Sequence, residues 1–563
     1  MRLAYEGFTA MRHGGKILVD QLKINGVERV FSVPGESFLA ALDGLYESGI
    51  ENIVCRHEGG AAMMAEADAK LTGLPGIVFV TRGPGATNAS SGLHVAMQDS
   101  TPMIAFVGQI SSEHKDREAF QEIDYTRFFS SLVKWVAEVR DPKRLPEYIA
   151  RAFQISQSGR PGPVVLALPE DVLSSMSEAI DRPRASVARQ SLSDHELEVI
   201  RLSLMEAKRP LVIAGGSGWS ENTVSELEKF ATNFNLPVAA TFRRQHLMDN
   251  RHNCYIGDLG VGMNPLLATL IQNSDLILVV GSRLGDIATG GYELINPALS
   301  DKKIIHIHSD PNEPGHTYHS FFAVASSTKS ALEKLSFLPK PEDIEWSRWT
   351  KEARENYLDW IVPKETPGNV KLEQVIKWLS DNLPSDAIVT NGAGNYAAFL
   401  HRYFVFKEYG TAIGPTSGSM GYGFPASIAA KLRFPNKTVV CMAGDGCFQM
   451  TLNEMSTAMQ YGASVIVIVV NNGKYATIRM HQERHYPGRV SGTKLYNPDF
   501  SELVKAYGGI GFTVNQTDDF TDAFRMAEAS NKLAVIELTL DDEVLSTSQT
   551  VTDVRANSNK KTD

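Results

Sequence analysis

Short apolar runs alternate with amphipathic stretches through three parts of the chain. Each run is followed by Pro, Gly or a polar turn, and then by hydrophobic positions at helical spacing. The runs that we interpret as strands cover residues 29–33, 77–80, 103–107, 164–168, 210–216, 276–281, 303–307, 387–390, 438–442 and 464–470. Short strands that alternate with helices are typical of parallel sheets covered by helices. The pattern therefore predicts an α/β protein with three parallel-sheet domains.

Two polar segments mark the predicted domain boundaries. Residues 181–194 lack apolar periodicity, and residues 338–370 are charged and contain several prolines, so we interpret both as linkers. The predicted domains are, in chain order, 11–182, 195–337 and 370–545. From about Ser546 the chain is rich in Ser, Thr, Asn and Lys, and we expect this tail to fray.

The composition excludes several classes of protein. The 563 residues carry 55 Lys and Arg against 65 Asp and Glu, whereas nucleic-acid binders usually show a net basic surface. The longest purely aliphatic run, residues 465–470, is far shorter than the roughly 20 residues that span a bilayer. The cysteines show no Cys-x-x-Cys spacing, and residues 1–15 contain no apolar signal-peptide segment. We therefore expect a cytoplasmic protein with reduced cysteines and without nucleic-acid or membrane partners.

The strongest chemical signal lies at the ends of two predicted strands of the third domain. A Gly-Asp-Gly sequence at residues 444–446 follows one strand, and Asn471 and Asn472 end the next. Parallel strands bring their carboxyl ends to one edge of the sheet, where α/β proteins bind ligands. Carboxylate and amide oxygens suit Mg²⁺, and glycines let backbone N–H groups approach phosphates. A Gly-Asp-Gly alone occurs in many turns, but the 24 residues between the two motifs match one helix plus one strand.

This pair of motifs resembles the diphosphate-binding motif of thiamine-diphosphate (ThDP) enzymes. The resemblance implies that Asp445 and Asn472 bind Mg²⁺, with the backbone carbonyl of Lys474 as the third protein ligand. It also implies a catalytic glutamate just after the second strand of the first domain, where Glu58 stands. In this family such a glutamate hydrogen-bonds the aminopyrimidine N1′ and promotes the imino tautomer of the cofactor.

The first and third domains further resemble the acetolactate (acetohydroxyacid) synthase branch of these enzymes. Residues 81–88 contain that family's Gly-Pro-Gly-Ala-Thr-Asn loop, and residues 418–426 are similar to its Gly-Thr-Met-Gly-x-Gly-Leu-Pro-Ala segment. The resemblance implies catalytic contributions from Gln121 and Lys134. It also makes Met420 the apolar wedge that holds the two rings of the cofactor in a V shape.

The resemblance implies a pyrimidine-binding, a central and a diphosphate-binding domain, and it identifies the residues that contact ThDP. In the first domain, Pro34 and Gly35 join Glu58. The contacts implied in the third domain are Gly394, Asn395, Tyr396, Ser419, Met420, Gly444, Asp445, Gly446, Cys447, Asn472, Lys474 and Tyr475. Because the family's glutamate meets the diphosphate site of a neighbouring subunit, an obligate homodimer is implied, with a homotetramer as the usual form.

Two residues depart from the acetolactate synthase pattern. Glu36 stands where those enzymes usually have glycine, and it resembles the acid of 2-oxo acid decarboxylases. It is either an additional acid/base group or a solvated turn residue, and we favour the acid/base role. His481 stands where biosynthetic enzymes carry a Trp that is linked to a larger acceptor. An ionisable imidazole would shape the acceptor pocket differently.

The central domain decides whether FAD is expected. Biosynthetic acetolactate synthases bind FAD with a Met-His-Gly segment and an Arg-Phe-Asp-Asp-Arg run. Here Arg283 is retained, whereas the histidine and the second arginine are missing. The glycine-rich residues 215–218 follow a strand and could cradle a phosphate, although such exits also occur without ligands. We expect that this domain binds no FAD.

The resemblance implies a reaction that depends on ThDP and Mg²⁺. The expected reaction is decarboxylation of a 2-oxo acid, with pyruvate as the donor, and carboligation to a second 2-oxo acid. The alternative is a lyase that releases an aldehyde, or a carboligase with a non-standard donor or acceptor. Glu36 and His481 favour the alternative, whereas Gln121 and Lys134 favour acetolactate synthesis. A cofactor-binding protein without turnover is disfavoured, because the implied catalytic and metal-binding residues are intact.

Overall fold

The computed structural model describes residues 11–298 and 302–559. By its internal contacts the chain divides into two compact units, and the boundary falls between Ala188 and Arg189. The first unit contains one six-stranded sheet and the second contains two. Neighbouring strands are parallel throughout these three sheets, which confirms the predicted α/β class. Within the described ranges, no helix combines the length and the apolar composition that crossing a membrane requires.

Six strands form one parallel sheet in the first unit, and helices pack against it. The strands of this unit are β1 (Arg12–His13), β2 (Arg29–Ser32), β3 (Glu51–Val54), β4 (Gly76–Val80), β5 (Met103–Gln109), β6 (Trp135–Glu138), β7 (Pro163–Pro169) and β8 (Met176–Ser177). Its helices are α1 (Gly14–Ile24), α2 (Leu39–Leu45), α3 (Glu58–Thr72), α4 (Pro84–Asp99), α5 (Tyr125–Phe129), α6 (Leu145–Gln157) and α7 (Glu170–Ser174). The sheet order is β3-β2-β4-β5-β7-β6, and β1 pairs with β8 in a separate antiparallel ribbon.

The second unit begins with a sheet that corresponds to the predicted central domain. Its strands are β9 (Pro210–Ala214), β10 (Val238–Thr241), β11 (Tyr255–Leu259), β12 (Leu276–Val280), β13 (Lys303–His308) and β14 (Phe322–Ala325). Its helices are α8 (Asp194–Glu206), α9 (Glu221–Phe234), α10 (Pro265–Asn273), α11 (Thr328–Leu335) and α12 (Ser347–Trp360). The sheet order is β11-β10-β9-β12-β13-β14, the arrangement of dinucleotide-binding α/β folds. Strands such as β12, buried along their whole length, read as continuous apolar runs in the sequence.

The third sheet lies in the same unit and follows α12 in the chain. Its strands are β15 (Ile388–Asn391), β16 (Ala412–Ile413), β17 (Val439–Gly444), β18 (Ile466–Asn471), β19 (Ile510–Val514) and β20 (Ala534–Thr539). Its helices are α13 (Leu372–Asn382), α14 (Tyr396–Tyr403), α15 (Gly423–Arg433), α16 (Asp445–Gln449), α17 (Met455–Gln460), α18 (Ala476–His485), α19 (Phe500–Ala506), α20 (Phe520–Ser530) and α21 (Val551–Asn559). The order β16-β15-β17-β18-β20-β19 repeats that of the first unit, strand for strand.

The segment 338–370 is more ordered than a linker, and that prediction is wrong in its middle. Two tryptophans, one just before helix α12 and one within it, pack this segment against α9 and the central sheet. The indole of Trp346 donates to the carbonyl of Phe234 (3.0 Å), and that of Trp349 donates to the carbonyl of Pro210 (3.0 Å). The helix escaped detection because six of its fourteen residues are charged and only three are buried.

The tail beyond Ser546 also forms structure, so the expectation that it frays is wrong for the described residues. Val551 and Val554 on α21 pack against Met480 on α18, in a small apolar cluster. The Glu483 carboxylate of α18 accepts from Arg555 on α21 and from Arg479, and the hydrogen bond from Arg555 is the main cause that lowers the pKa of Glu483 to about 2. The polar composition of this helix concealed it, because two valines are its only buried apolar residues.

The packing of α12 leads to a stability prediction. Trp346 is 2% exposed, so we expect Trp346→Ala to lower the free energy of unfolding. The expected loss is about 3–5 kcal/mol in urea denaturation, the usual cost of emptying a buried aromatic site. Phe337→Ala is the matched control, because Phe337 is 75% exposed and precedes the same segment. Equal stability of the two variants would contradict the packing described here.

Candidate functional site

A cavity of about 240 Å³ opens at the carboxyl edge of the third sheet. It lies where β15 and β17 are neighbours and the chain leaves them toward opposite sides, the switch point at which open α/β sheets bind ligands. The residues that line it are Leu372, Ala393, Gly394, Asn395, Tyr396, Phe399, Gly418, Met420, Gly444, Asp445, Gly446, Cys447, Val470, Asn472, Lys474, Tyr475, Ala476, Thr477, Ile478, Leu540, Val544 and Leu545. Every cofactor contact expected in the third domain lines this cavity, except Ser419.

Asp445 stands at the end of β17 and begins α16. It is 3% exposed, and burial raises the pKa of its carboxyl group. The backbone N–H of Gly446 donates to its Oδ1 (2.9 Å), and the side-chain amide of Asn497 donates to its Oδ2 (2.7 Å). These bonds offset part of the burial cost and fix the direction of the carboxylate. A buried acid held in this way is suited to bind a divalent cation.

The two asparagines that end β18 have different surroundings. The amide of Asn471 donates to Glu537 (2.7 Å), and its oxygen accepts from Asn497 (2.8 Å), so Asn471 holds the strand exit in place. Asn472 instead lines the cavity, together with Asp445 and Lys474. Asn497 joins the two strand exits from a distant loop, and no local sequence pattern marks it.

The wall beside the Gly-Asp-Gly turn is built by aromatic and sulfur contacts. Burial raises the pKa of Tyr396 well above its usual value, so it stays a hydroxyl that donates to the Cys447 sulfur (3.4 Å). The N–H of Gly421 also points at this sulfur (3.2 Å). A Cβ at position 446 would lie 2.5 Å from the ring of Tyr475, so only glycine lets the turn approach the cavity this closely.

The far wall is formed by the segment that leads into α21. The Asn395 amide donates to the carbonyl of Leu545 (2.6 Å), and its oxygen accepts from Thr477 (2.8 Å). Asn395 therefore joins the segment after β15 to the start of α18 and to the C-terminal segment. Met420 contributes an apolar side chain to the lining, as an apolar wedge requires. The neighbouring Ser419 hydroxyl hydrogen-bonds the carbonyl of Met420 (3.2 Å).

His481 lies on the exposed surface of α18, one turn beyond the cavity-lining Thr477. Partial burial lowers the pKa of His481, and the neighbouring Arg484 and His485 lower it further. Both effects favour the neutral imidazole.

In the first unit, Glu58 begins α3 at the exit of β3. Asn88 on α4 donates to its Oε2 (3.0 Å) and so fixes the carboxylate. The other oxygen lies against α4, where a Cβ at position 85 would be 3.2 Å from Oε1. The Gly-Pro-Gly-Ala-Thr-Asn segment therefore contributes two residues to the surroundings of Glu58. Gly85 leaves space for one carboxylate oxygen, and the Asn88 amide hydrogen-bonds the other.

Glu36 is held by an ion pair rather than left free. Its Oε1 accepts from Arg82 (2.9 Å), whose side chain also contacts Glu170. Arg82 is 7% exposed and donates to the carbonyl of Phe120 (3.3 Å) as well. The arginine therefore joins three segments at the carboxyl edge of the first sheet, a cluster that the sequence analysis did not anticipate.

The remaining residues expected in the first domain lie at different places. Gln121 packs against the backbone at position 83, and Gly35 lies against Thr81, so both are at the same sheet edge as Glu36, as is Pro34 in the β2 exit. The Lys134 ammonium instead donates to the carbonyls of Ile155 and Ser158, each at 2.6 Å. These bonds explain the lysine as a cap on the end of α6, and its catalytic role stays a prediction.

The exits of two neighbouring strands approach each other closely at the switch point of the central sheet. A Cβ at position 216 would lie 1.8 Å from the carbonyl oxygen of Gly281, so the exits of β9 and β12 touch. Arg283, the residue retained from the FAD-binding run, pairs with Glu313 at 3.3 Å. A nucleotide would have to compete with this ion pair for the guanidinium.

Among the described residues, no three His, Cys, Asp or Glu side chains converge on a point where they could hold a metal ion. A metal in the third-domain cavity would therefore depend on amide, carbonyl and ligand oxygens in addition to Asp445. Mg²⁺ accepts such a mixed set when phosphate oxygens complete it.

Comparison with known proteins agrees with this geometry. Three domain models of thiamine pyrophosphate enzymes match the chain: the N-terminal TPP binding domain at residues 12–128, the central domain at 198–335, and the C-terminal TPP binding domain at 392–538. The acetolactate synthase large subunit of Haemophilus influenzae is 32% identical, and the alignment covers 94% of each chain.

Other relatives extend the same group. The acetolactate synthase isozyme 2 large subunit of Escherichia coli is 30% identical over 94% of this chain and 96% of its own. The acetolactate synthase large subunit of Corynebacterium glutamicum is 31% identical over 93% of this chain and 86% of its own. The chain therefore belongs to the thiamine-diphosphate-dependent enzymes, in the family of acetolactate synthase large subunits.

Proposed function

We propose that this enzyme decarboxylates pyruvate and joins the two-carbon unit to a second 2-oxo acid, giving acetolactate when the acceptor is pyruvate. The observation that carries the proposal is the cavity at the third-sheet switch point, with Asp445, Asn472 and Lys474 in its lining. The relatives named acetolactate synthase align over nearly the whole chain, which supports the same reaction type here.

The third-domain residues fit thiamine diphosphate with Mg²⁺. Asp445, the Asn472 side chain and the Lys474 carbonyl would hold the cation. The backbone N–H groups beside Gly446 would face the diphosphate, and Met420 would support the rings. Bound ThDP supplies the carbon nucleophile and the electron sink that loss of CO₂ requires. The protein's part is to seat the cofactor and to keep Asp445 ionised beside the cation.

Glu58 would exchange a proton with the aminopyrimidine N1′. Its carboxylate is oriented by Asn88, so the group is fixed before the cofactor arrives. Glu36 would act by positioning Arg82, with which it forms an ion pair, rather than as the additional acid/base group that the sequence favours. We further propose that Gln121 and His481 contact substrate and that two copies of the chain combine to complete the site.

We also propose that the central domain binds no FAD. The pairing of Arg283 with Glu313 supports this proposal, because the guanidinium retained from the FAD-binding run already has a carboxylate partner.

The reaction itself is tested by incubating the purified protein with ThDP, Mg²⁺ and pyruvate, and by measuring CO₂, acetaldehyde and acetolactate together. We expect CO₂ and acetolactate. Acetaldehyde without acetolactate would show that the enzyme is a lyase that releases an aldehyde. Absence of CO₂ would exclude pyruvate as the donor and call for larger 2-oxo acids. A visible flavin absorption band in the same sample would contradict the FAD proposal.

The metal site is tested with Asp445→Asn, which removes the charge and keeps the shape. We expect the Kd for ThDP in the presence of Mg²⁺ to rise at least about tenfold. Because burial raises the pKa of Asp445, a falling pH protonates this group early, and we expect Mg²⁺-dependent ThDP binding to weaken in the same direction. Asp499→Asn, which keeps the cap of α19 outside the cavity, is the control. Unchanged affinity in Asp445→Asn would refute the site.

The role of Glu58 is tested with Glu58→Gln. We expect kcat to fall by roughly 100-fold or more, because proton transfer at the cofactor is lost, while the Kd for ThDP stays near the wild-type value. Glu36→Gln is the comparison, and it should lose less activity because it breaks only the ion pair with Arg82. Full turnover by Glu58→Gln would show that this carboxylate does not move the proton.

A further inference from the structure

The chain segment that follows β10 reaches from the central sheet to the third sheet within the second unit. We call residues 242–246 the β10 exit loop. At its end, the His246 ring nitrogen accepts a hydrogen bond from the backbone N–H of Ala412 at the start of β16 (3.1 Å). Phe242 meets the ring of His401 on α14 edge to face, at 5.4 Å between centroids. The loop therefore packs as part of the third domain.

Arg243 lies in the middle of this loop and is 4% exposed. Its Nη2 donates to the carbonyl of Gly392 (2.7 Å), and its Nη1 donates to the carbonyl of Pro415. The two carbonyls belong to different segments. One segment runs from Gly392 into the Gly394–Tyr396 wall of the cavity, and the other runs from Pro415 to the wedge residue Met420.

The backbone of Arg243 is held in an unfavourable conformation. Its φ is 59°, in the left-handed region that residues with a side chain rarely adopt. Such strain persists only where the surroundings over-determine it, and it is concentrated at functional sites. The guanidinium also lies over the Phe242 ring, 4.7 Å from its centroid. Planar, two-pronged donation to two carbonyls requires arginine, because an ammonium on a flexible stem does not reproduce that fork.

We propose that Arg243 is a positioning residue, which sets the spacing between the segment that faces the diphosphate and the segment that carries the ring-supporting methionine. This inference rests on the proposed function, because it assigns both segments to ThDP. Under this proposal the central domain contributes to ThDP binding through Arg243, although it binds no nucleotide itself. The guanidinium also neutralises the negative ends of two carbonyl dipoles that lie behind a site for an anionic cofactor.

The chain offers a matched control in Arg354 on α12. Its guanidinium also donates to backbone carbonyls, those of Asn250 (2.9 Å), Tyr255 (2.8 Å) and Arg251 (3.1 Å). All three carbonyls lie outside the segments that line the cavity. Replacing either arginine with methionine removes a guanidinium that donates to backbone carbonyls and keeps a similar side-chain volume. A difference between the two variants therefore reports on the two segments that line the cavity.

The experiment compares the full-length wild type, Arg243→Met, Arg243→Lys and Arg354→Met. Hydrogen–deuterium exchange of the cofactor-free protein reports on residues 392–396 and 415–420, and calorimetry gives the Kd for ThDP with Mg²⁺. We expect Arg243→Met to exchange faster in both segments and to bind ThDP about tenfold or more weakly. Arg243→Lys should be intermediate. Arg354→Met should leave exchange in these segments and the Kd unchanged.

The outcomes separate this inference from the proposed function. Wild-type protein that does not bind ThDP would refute the proposed function and this inference with it. A wild type that binds ThDP, beside an Arg243→Met variant with equal affinity and exchange, would overturn the positioning role alone. If Arg243→Met does not fold, Arg243→Lys decides, and wild-type behaviour in that variant would overturn the inference.

Discussion

The burial of one carboxylate organises the third domain. Asp445 ends a central strand at the switch point, where its charge has few water molecules to stabilise it. The Gly446 N–H and the Asn497 amide each hold one of its oxygens, and the same amide reaches Asn471. The exits of β17 and β18 are thereby joined before any cation binds. The Tyr475 ring packs against the backbone at position 446, so the turn that holds this acid has no room for a side chain there.

The sequence predicted the scaffold because parallel strands follow a simple geometric rule. Buried runs such as β12 are visible as apolar blocks, and strand exits at one sheet edge bring Asp445 and Asn472 together although 26 residues separate them. Asn497 and Arg243 could not be predicted in this way. Their roles depend on contacts between segments that are distant in sequence, and neither residue sits in a recognisable pattern.

Helices α12 and α21 were missed for a different physical reason. Both are anchored by a few apolar side chains within an otherwise polar surface, so their mean composition is that of a linker or a tail. Trp346 in one case and Val551 with Val554 in the other supply the packing.

The identical strand order of the first and third sheets has an electrostatic consequence. The third strand of each domain, β4 in one and β17 in the other, leaves the sheet at the equivalent switch point. The first exit presents Arg82, paired with Glu36 and Glu170, and the second presents the buried carboxyl group of Asp445. Corresponding positions of one architecture thus carry a basic residue in the first domain and an acidic residue in the third, so the two domains are not interchangeable even though their topologies coincide.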